Sequence, residues 1–133
     1  MLVFSEYQTD TIDLALDFYG YEDCPKNYEF GPSVRDNFVL HFITKGKGVF
    51  HFNKKEIHLE AGDLFLLPKN KVTYYKADEE EPWSYYWIGI SGTKVSDFMR
   101  FSTLYEKGFL QLHHLHCRPL FYLPCRYLLL LSP

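Results

Sequence analysis

Two aromatic side chains in the middle of the chain could bind a sugar. Tyr85 and Trp87 are two residues apart in a segment, Trp83 to Ile90, that is typical of a strand, so their rings share one face. Sugars carry C–H patches that stack on rings and hydroxyls that need hydrogen-bond partners. A face pointing into a small barrel would therefore offer a sugar site, whereas the alternative is that the rings only fill the core. His41 interrupts another apolar segment, where a core or pocket histidine is more usual than a metal ligand.

Six short segments between residues 37 and 90 predict strands joined by tight turns. Glycine and asparagine clusters such as Lys45-Gly46-Lys47-Gly48 separate them. Regularly spaced short strands of this kind predict a mainly β sandwich or barrel. The segments are Phe38–Ile43, Val49–Phe52, Glu56–Leu59, Leu64–Leu67, Val72–Tyr75 and Trp83–Ile90.

The flanking regions are expected to differ from this barrel core, which we place at residues 37–92. Residues 1–36 have weak periodicity and are interpreted as an N-terminal arm, with one or two helical turns over Asp10 to Tyr19. An apolar stripe over Thr93 to Lys107 predicts a helix at residues 93–108 that ends at Gly108. Residues 109–133 contain no acidic residue and form an atypical tail, either artificial or packed in a dimer.

Composition excludes several functional classes for this chain. The net charge is −3 and the pI about 6.0, with scattered basic residues, so direct nucleic-acid binding is not expected. Three cysteines without a CxxC pair argue against a disulfide scaffold or zinc ribbon and favour the reducing cytoplasm. Neither a signal peptide nor an apolar run of about 18 residues is visible, so no membrane association is expected.

One motif carries a family resemblance. Gly62 is followed after five residues by Pro68, the spacing of the second cupin motif, and Gly46-x-Gly48 lies where the first belongs. The wider stretch, residues 20 to 107, resembles the N-terminal cupin-like domain of AraC/XylS transcriptional regulators, notably the carbohydrate-responsive members. The matching blocks include Phe30-Gly31-Pro32, Leu40-His41-Phe42, Leu59-Glu60-Ala61-Gly62-Asp63, Tyr74-Tyr75-Lys76-Ala77-Asp78 and Glu81-Pro82-Trp83-Ser84-Tyr85-Tyr86-Trp87-Ile88-Gly89.

The resemblance implies a cupin-like double-stranded β-helix, or jelly-roll barrel, that binds a small effector inside and dimerises through the helix that follows. By resemblance, the effector pocket uses the positions of Tyr75, Tyr85 and Trp87. The family reads DNA through C-terminal helix-turn-helix motifs, and no such region is visible here, so DNA contact is expected only through a domain that this chain lacks.

Metal chemistry is not expected. Catalytic cupins hold a metal through two histidines and a glutamate on one motif and a third histidine on the other. Here the first motif reads His51-Phe52-Asn53, so its second histidine is missing, and Glu56 is close to the glutamate position. In the second motif Thr73 takes the histidine position. We therefore predict no metal site and no cofactor.

The leading hypothesis is an effector sensor that is not an enzyme, with a saccharide bound against Trp87, Tyr85, Tyr75 and His41, in a homodimer. The rival is a metal-free cupin enzyme, a sugar isomerase or epimerase, for which His41, His51 and Tyr85 could supply acid and base groups. A third alternative is an inert fragment.

Overall fold

Two antiparallel sheets make up the fold in a computed structural model that describes residues 2–6 and 13–112. Ten strands and two short helices lie within this part of the chain. They are β1 (Leu2–Glu6), β2 (Ala15–Asp23), β3 (Glu29–Ser33), β4 (Phe38–Lys45), β5 (Lys47–Phe52), β6 (Lys55–Glu60), β7 (Leu64–Leu67), β8 (Thr73–Ala77), β9 (Ser84–Ser91), α1 (Thr93–Arg100), α2 (Thr103–Lys107) and β10 (Phe109–Leu110).

The strand order is that of a jelly-roll barrel. The six-stranded sheet has the order β1-β2-β9-β4-β7-β10, and the four-stranded sheet has the order β3-β8-β5-β6. All six strands predicted from the sequence are present, with ends displaced by no more than about two residues, as is usual for strand boundaries. Asn53 and Lys54 both adopt positive φ (51° and 62°), which gives the β5–β6 hairpin the twist that a two-residue turn needs.

The barrel core lies between the two sheets and is largely aromatic. Trp83 and Phe65 are fully buried and stack at 5.3 Å between ring centroids, and Phe50 packs on Phe65 at 5.0 Å. Because inward positions alternate along each strand, one face of each sheet supplies these rings. The core therefore fills one part of the barrel with packed rings rather than with open space.

A second apolar cluster covers part of the outer face of the six-stranded sheet. Val95 of α1 packs with Phe38 and Leu66 of the sheet, and Met99 and Leu104 lie against them. The predicted single helix is in fact two, because Ser102 caps α2: its Oγ accepts from the Tyr105 N–H at 3.0 Å. Gly108 ends α2 in the left-handed conformation, as the sequence predicted.

The junction between β9 and α1 consists of one residue, Gly92. Asp13 holds the first turn of α1, since its backbone O accepts from the Lys94 N–H at 3.1 Å and its carboxylate accepts from the Thr93 hydroxyl at 3.1 Å. A side chain at Gly92 would collide with Asp13, because an added Cβ would lie 2.3 Å from the Asp13 O. The chain therefore passes from strand to helix without a loop.

The predicted helical turns over Asp10 to Tyr19 are wrong from Ala15 onward. Residues 15–23 form β2, which pairs with β9 from Ala15↔Ser91 to Asp23↔Ser84. Strand pairing with a central strand outweighs the weak local preference of this segment. Much of the region interpreted as an arm thus lies in the sheets. Most of the predicted tail, from residue 113 onward, lies outside the described residues.

Candidate functional site

A cavity of about 380 Å³ lies between the two sheets. Strands of both sheets line it, and its volume lies at the small end of the range for small-molecule sites, about 300–1,000 Å³. All four residues predicted for the ligand site, His41, Tyr75, Tyr85 and Trp87, are in the lining. The other lining residues are Phe18, Glu22, Tyr28, Phe30, Arg35 and Val39.

The rings of the predicted site form one contiguous group. Tyr85 lies edge-on to Trp87 at 5.9 Å and to Tyr75 at 6.1 Å between centroids. Tyr85 and Tyr75 are almost fully buried, whereas Trp87 is half-buried. On the opposite face of β9, Tyr86 is 56% exposed, which confirms the alternation inferred from the sequence. The group offers an aromatic wall with hydroxyls at its edge.

His41 lies under this wall and is only 3% exposed. Its imidazole stacks on Phe65 at 4.4 Å with an interplanar angle of 9° and meets the Tyr85 ring edge-on at 4.8 Å. Burial, reinforced by the charge of Arg35, lowers the pKa of His41 from its ordinary 6.5 to about 3, against a smaller opposing contact with the Val39 backbone. Nδ1 has no hydrogen-bond partner among the described residues. The cavity is therefore lined by an imidazole that is uncharged at neutral pH.

Two charged side chains complete the lining. The Arg35 guanidinium carbon lies 5.0 Å from the centroid of Phe30 and 6.0 Å from that of Phe18, and its buried Nε has no partner in the described part of the chain. Glu22 accepts a hydrogen bond from the Tyr85 hydroxyl at 3.4 Å. The cavity thus presents a donor and an acceptor, both charged, beside an aromatic surface.

Sequence reasoning missed the contribution of β2 and β3. Phe18, Glu22, Phe30 and Arg35 all belong to the region interpreted as an arm. The signal was present, since Phe18, Gly20 and Glu22 recur at the two-residue period of a strand. The register confirms this period, because Gly20 pairs with Trp87 and Glu22 pairs with Tyr85.

Of the residues considered for metal or acid–base chemistry, His41 and Tyr85 meet in the cavity, but His51, Glu56 and Thr73 do not line it. His51 lies on the outer face of β5 near Glu56, at 4.0 Å, while Phe50 and Phe52 take the buried positions of that strand. His51 therefore does not line the cavity that contains His41 and Tyr85. Over residues 2–6 and 13–112, no group of three or more His, Cys, Asp or Glu side chains is arranged to hold a metal ion.

The acidic loop after β8 has a local structural role. Asp78 accepts hydrogen bonds from the N–H groups of Glu80 and Glu81 at 3.1 and 3.0 Å, and these bonds lower the pKa of its carboxyl group. The side chains of this loop border a wider, charged hollow of about 600 Å³ that no aromatic ring lines.

None of the helices in the described part of the chain is long and apolar enough to cross a membrane.

Solved structures share the fold at low sequence identity. The protein YhaK from Escherichia coli aligns with a TM-score of 0.59 at 13% identity, over 71% of this chain and 46% of that one. A cupin 2 conserved barrel domain protein from Salinispora arenicola aligns with a TM-score of 0.55 at 11% identity, over 76% of this chain and 83% of that one. These similarities confirm the cupin-like barrel.

Sequence relatives include three regulators of bacterial operons. The Msm operon regulatory protein of Streptococcus mutans is 46% identical over 79% of this chain and 38% of its own length. The raffinose operon transcriptional regulatory protein RafR of Pediococcus pentosaceus is 42% identical over 71% of this chain and 35% of its length. The lactose operon transcription activator of Staphylococcus xylosus is 33% identical over 74% of this chain and 35% of its length.

The similarity covers one part of those regulators, since the aligned region spans little more than a third of each. The family known as the AraC-like ligand binding domain matches residues 15–128, a range that includes every residue lining the cavity. The chain belongs to the family of AraC-like ligand binding domains and is related to transcriptional regulators of sugar operons.

Proposed function

We propose that this chain senses a saccharide effector on behalf of a transcriptional regulator. The observation that carries the proposal is the cavity of about 380 Å³, where Trp87, Tyr85 and Tyr75 stand beside Arg35, Glu22 and His41. Such a lining offers ring faces for C–H stacking together with fixed donors and acceptors for hydroxyls.

The unpaired polar atoms support a hydroxylated ligand. His41 Nδ1 and Arg35 Nε are both buried without a partner among the described residues. A ligand hydroxyl that reached these atoms on binding would satisfy them, which is worth about 1–3 kcal/mol for each atom. The names of two relatives refer to the raffinose and lactose operons, which agrees with a saccharide.

In the proposed regulator, the chain acts by favouring one of two conformations when the effector binds. The cavity is built jointly by β2 and β3 and by the strands that follow them, so a bound ligand would bridge the N-terminal strands and β9. Contact with DNA would fall to a segment outside these residues. Such a regulator would work in the cytoplasm.

We propose further that the chain forms a homodimer through its helices. Val95 and Met99 of α1 pack on the barrel, but Phe98 and Phe101 are 79% and 87% exposed. Two large rings left in solvent at the C-terminal end of α1 are typical of a protein interface. A twofold symmetric contact through them is the simplest arrangement.

Sensing is favoured over catalysis by the state of His41. An imidazole with a pKa of about 3 is a weak base at neutral pH, far from the value near the working pH that general-base catalysis requires. His51, the second candidate for acid–base chemistry, does not line the cavity. We therefore expect a bound sugar to be recovered unchanged.

A thermal-shift screen of the purified chain against mono-, di- and trisaccharides tests this proposal. A ligand at a hundred times its dissociation constant adds about 2.7 kcal/mol to the free energy of unfolding, which should raise the melting temperature by several degrees. Trp87→Ala should abolish the shift, whereas Tyr86→Ala, on the opposite face of β9, should retain it. A well-folded chain whose melting temperature no saccharide raises would contradict the proposal, and conversion of the sugar would favour an enzyme.

A further inference from the structure

Glu22 has a distinctive position in the cavity. It lies on the inward face of β2, paired in register with Tyr85, and is half-buried. Among the described residues that line the cavity, Glu22 is the one acid and Arg35 the one permanent cation. With His41 uncharged at neutral pH, the two formal charges of the lining cancel.

The Glu22 carboxylate keeps capacity for further hydrogen bonds. A carboxylate has about four acceptor positions. Within the described chain, the Tyr85 hydroxyl donates one bond to it, at a long 3.4 Å. This long contact places Oε2 beside the aromatic wall and leaves the carboxylate able to accept hydrogen bonds from ligand hydroxyls.

Glu22 and Arg35 line the same cavity but do not form an ion pair. No oxygen of Glu22 lies within 4.0 Å of an Arg35 nitrogen in the described structure. Burial raises the pKa of Tyr28, the Glu22 charge raises it further, and Arg35 lowers it, so the fields of both groups reach this lining residue. Partial burial strengthens both fields relative to those of exposed charges.

We infer that Glu22 is a specificity-determining residue, whose carboxylate accepts hydrogen bonds from ligand hydroxyls and balances Arg35 so that the cavity takes neutral sugars and rejects acidic ones. This inference rests on the proposed saccharide function. If Glu22 served only as a structural partner of Tyr85, its charge would have no effect on which sugar binds.

Calorimetric titration of the 133-residue chain tests the inference, with lactose, raffinose and galactose as neutral probes and galacturonate as the acid. The acid replaces the CH₂OH group of galactose by a carboxylate. Wild type should bind at least one neutral sugar and should bind galacturonate more weakly than galactose. Glu22→Gln should weaken the neutral sugar about tenfold, because a charge-assisted hydrogen bond becomes a neutral one. Glu22→Gln should also raise the affinity for galacturonate until it equals or exceeds the affinity for galactose, since the lining then carries a net positive charge.

Two further variants serve as controls. Glu29→Gln changes an exposed glutamate that binds Tyr74 outside the cavity, and it should bind sugars like wild type. Glu22→Asp keeps the charge but shortens the reach, so it should weaken the neutral sugar and still reject the acid. Glu22→Asp also provides an independent comparison if Glu22→Gln does not fold.

The outcomes separate the inference from the proposed function. If wild type binds none of the neutral sugars, both are overturned. If wild type binds a neutral sugar and Glu22→Gln binds it equally well, with the same preference over the acid, the inference alone is overturned. Weaker neutral binding together with a gain for galacturonate supports both.

Discussion

Replacing His41 by phenylalanine should remove a specific part of the pH dependence of stability. The folded protein holds the pKa of His41 at about 3, while an unfolded chain restores the ordinary value of 6.5. Between pH 6.5 and pH 3 the unfolded state therefore binds a proton that the native state does not bind. The contribution of His41 to the free energy of unfolding is fully present above pH 6.5 and is lost as the pH drops toward 3. Phenylalanine preserves a planar ring on Phe65 but cannot titrate.

The magnitude follows from the two pKa values. Between pH 6.5 and pH 5, the His41 contribution to the free energy of unfolding should fall by about 2 kcal/mol, at about 1.36 kcal/mol for each pH unit. Between pH 6.5 and pH 3 the total loss in the free energy of unfolding would approach about 5 kcal/mol. A loss of this size requires the side chain to stay buried, and His41 is 3% exposed.

Urea unfolding of both proteins at pH 7.5, 6.0 and 5.0 measures the effect. Any constant cost of fitting the larger ring cancels when the two pH profiles are compared. Wild type should lose about 2 kcal/mol more than His41→Phe between the first and last pH. Parallel profiles, or a His41 ring resonance that titrates near pH 6 by NMR, would refute the argument that burial keeps this imidazole neutral.

Two further predictions concern packing and assembly. Gly48→Ala should lower the free energy of unfolding by more than about 2 kcal/mol in chemical denaturation. The reason is steric, because an added Cβ would lie 2.5 Å from the Trp83 ring and 2.6 Å from the Lys76 carbonyl oxygen. A loss below about 0.5 kcal/mol would contradict this packing. The double variant Phe98→Ser, Phe101→Ser should be a monomer by light scattering, whereas the wild type should be a dimer. The stability of the monomer should change little, since both rings are exposed. An unchanged dimer would place the interface elsewhere.

The strands of the barrel centre could be predicted because their signals are local. Alternation on Trp83 to Ile90 and turn residues such as Asn53 and Lys54 act within a few positions of the chain. The same alternation identified Tyr85 and Trp87 as neighbours on one face, and both line the cavity. His41 and Tyr75, predicted for the same site, also line it.

The acid and the cation of the cavity could not be found in this way. Glu22 meets Tyr85 across 63 positions of sequence, and β3 meets β8 through the pair Phe30↔Tyr75. Pairings at such distances depend on the tertiary fold, and local propensity is a weak guide to them. The break between α1 and α2 was missed for a more local reason, since Ser102 was not considered as a cap.

The one-residue junction at Gly92 gives the barrel a mechanical connection to its helices. Trp87 and Tyr85 belong to β9, and only one residue separates β9 from α1. Asp13 binds the first turn of that helix and lies just before β2, the strand that carries Glu22. A displacement of β9 at the cavity would therefore reach α1 directly, and with it the exposed rings of Phe98 and Phe101.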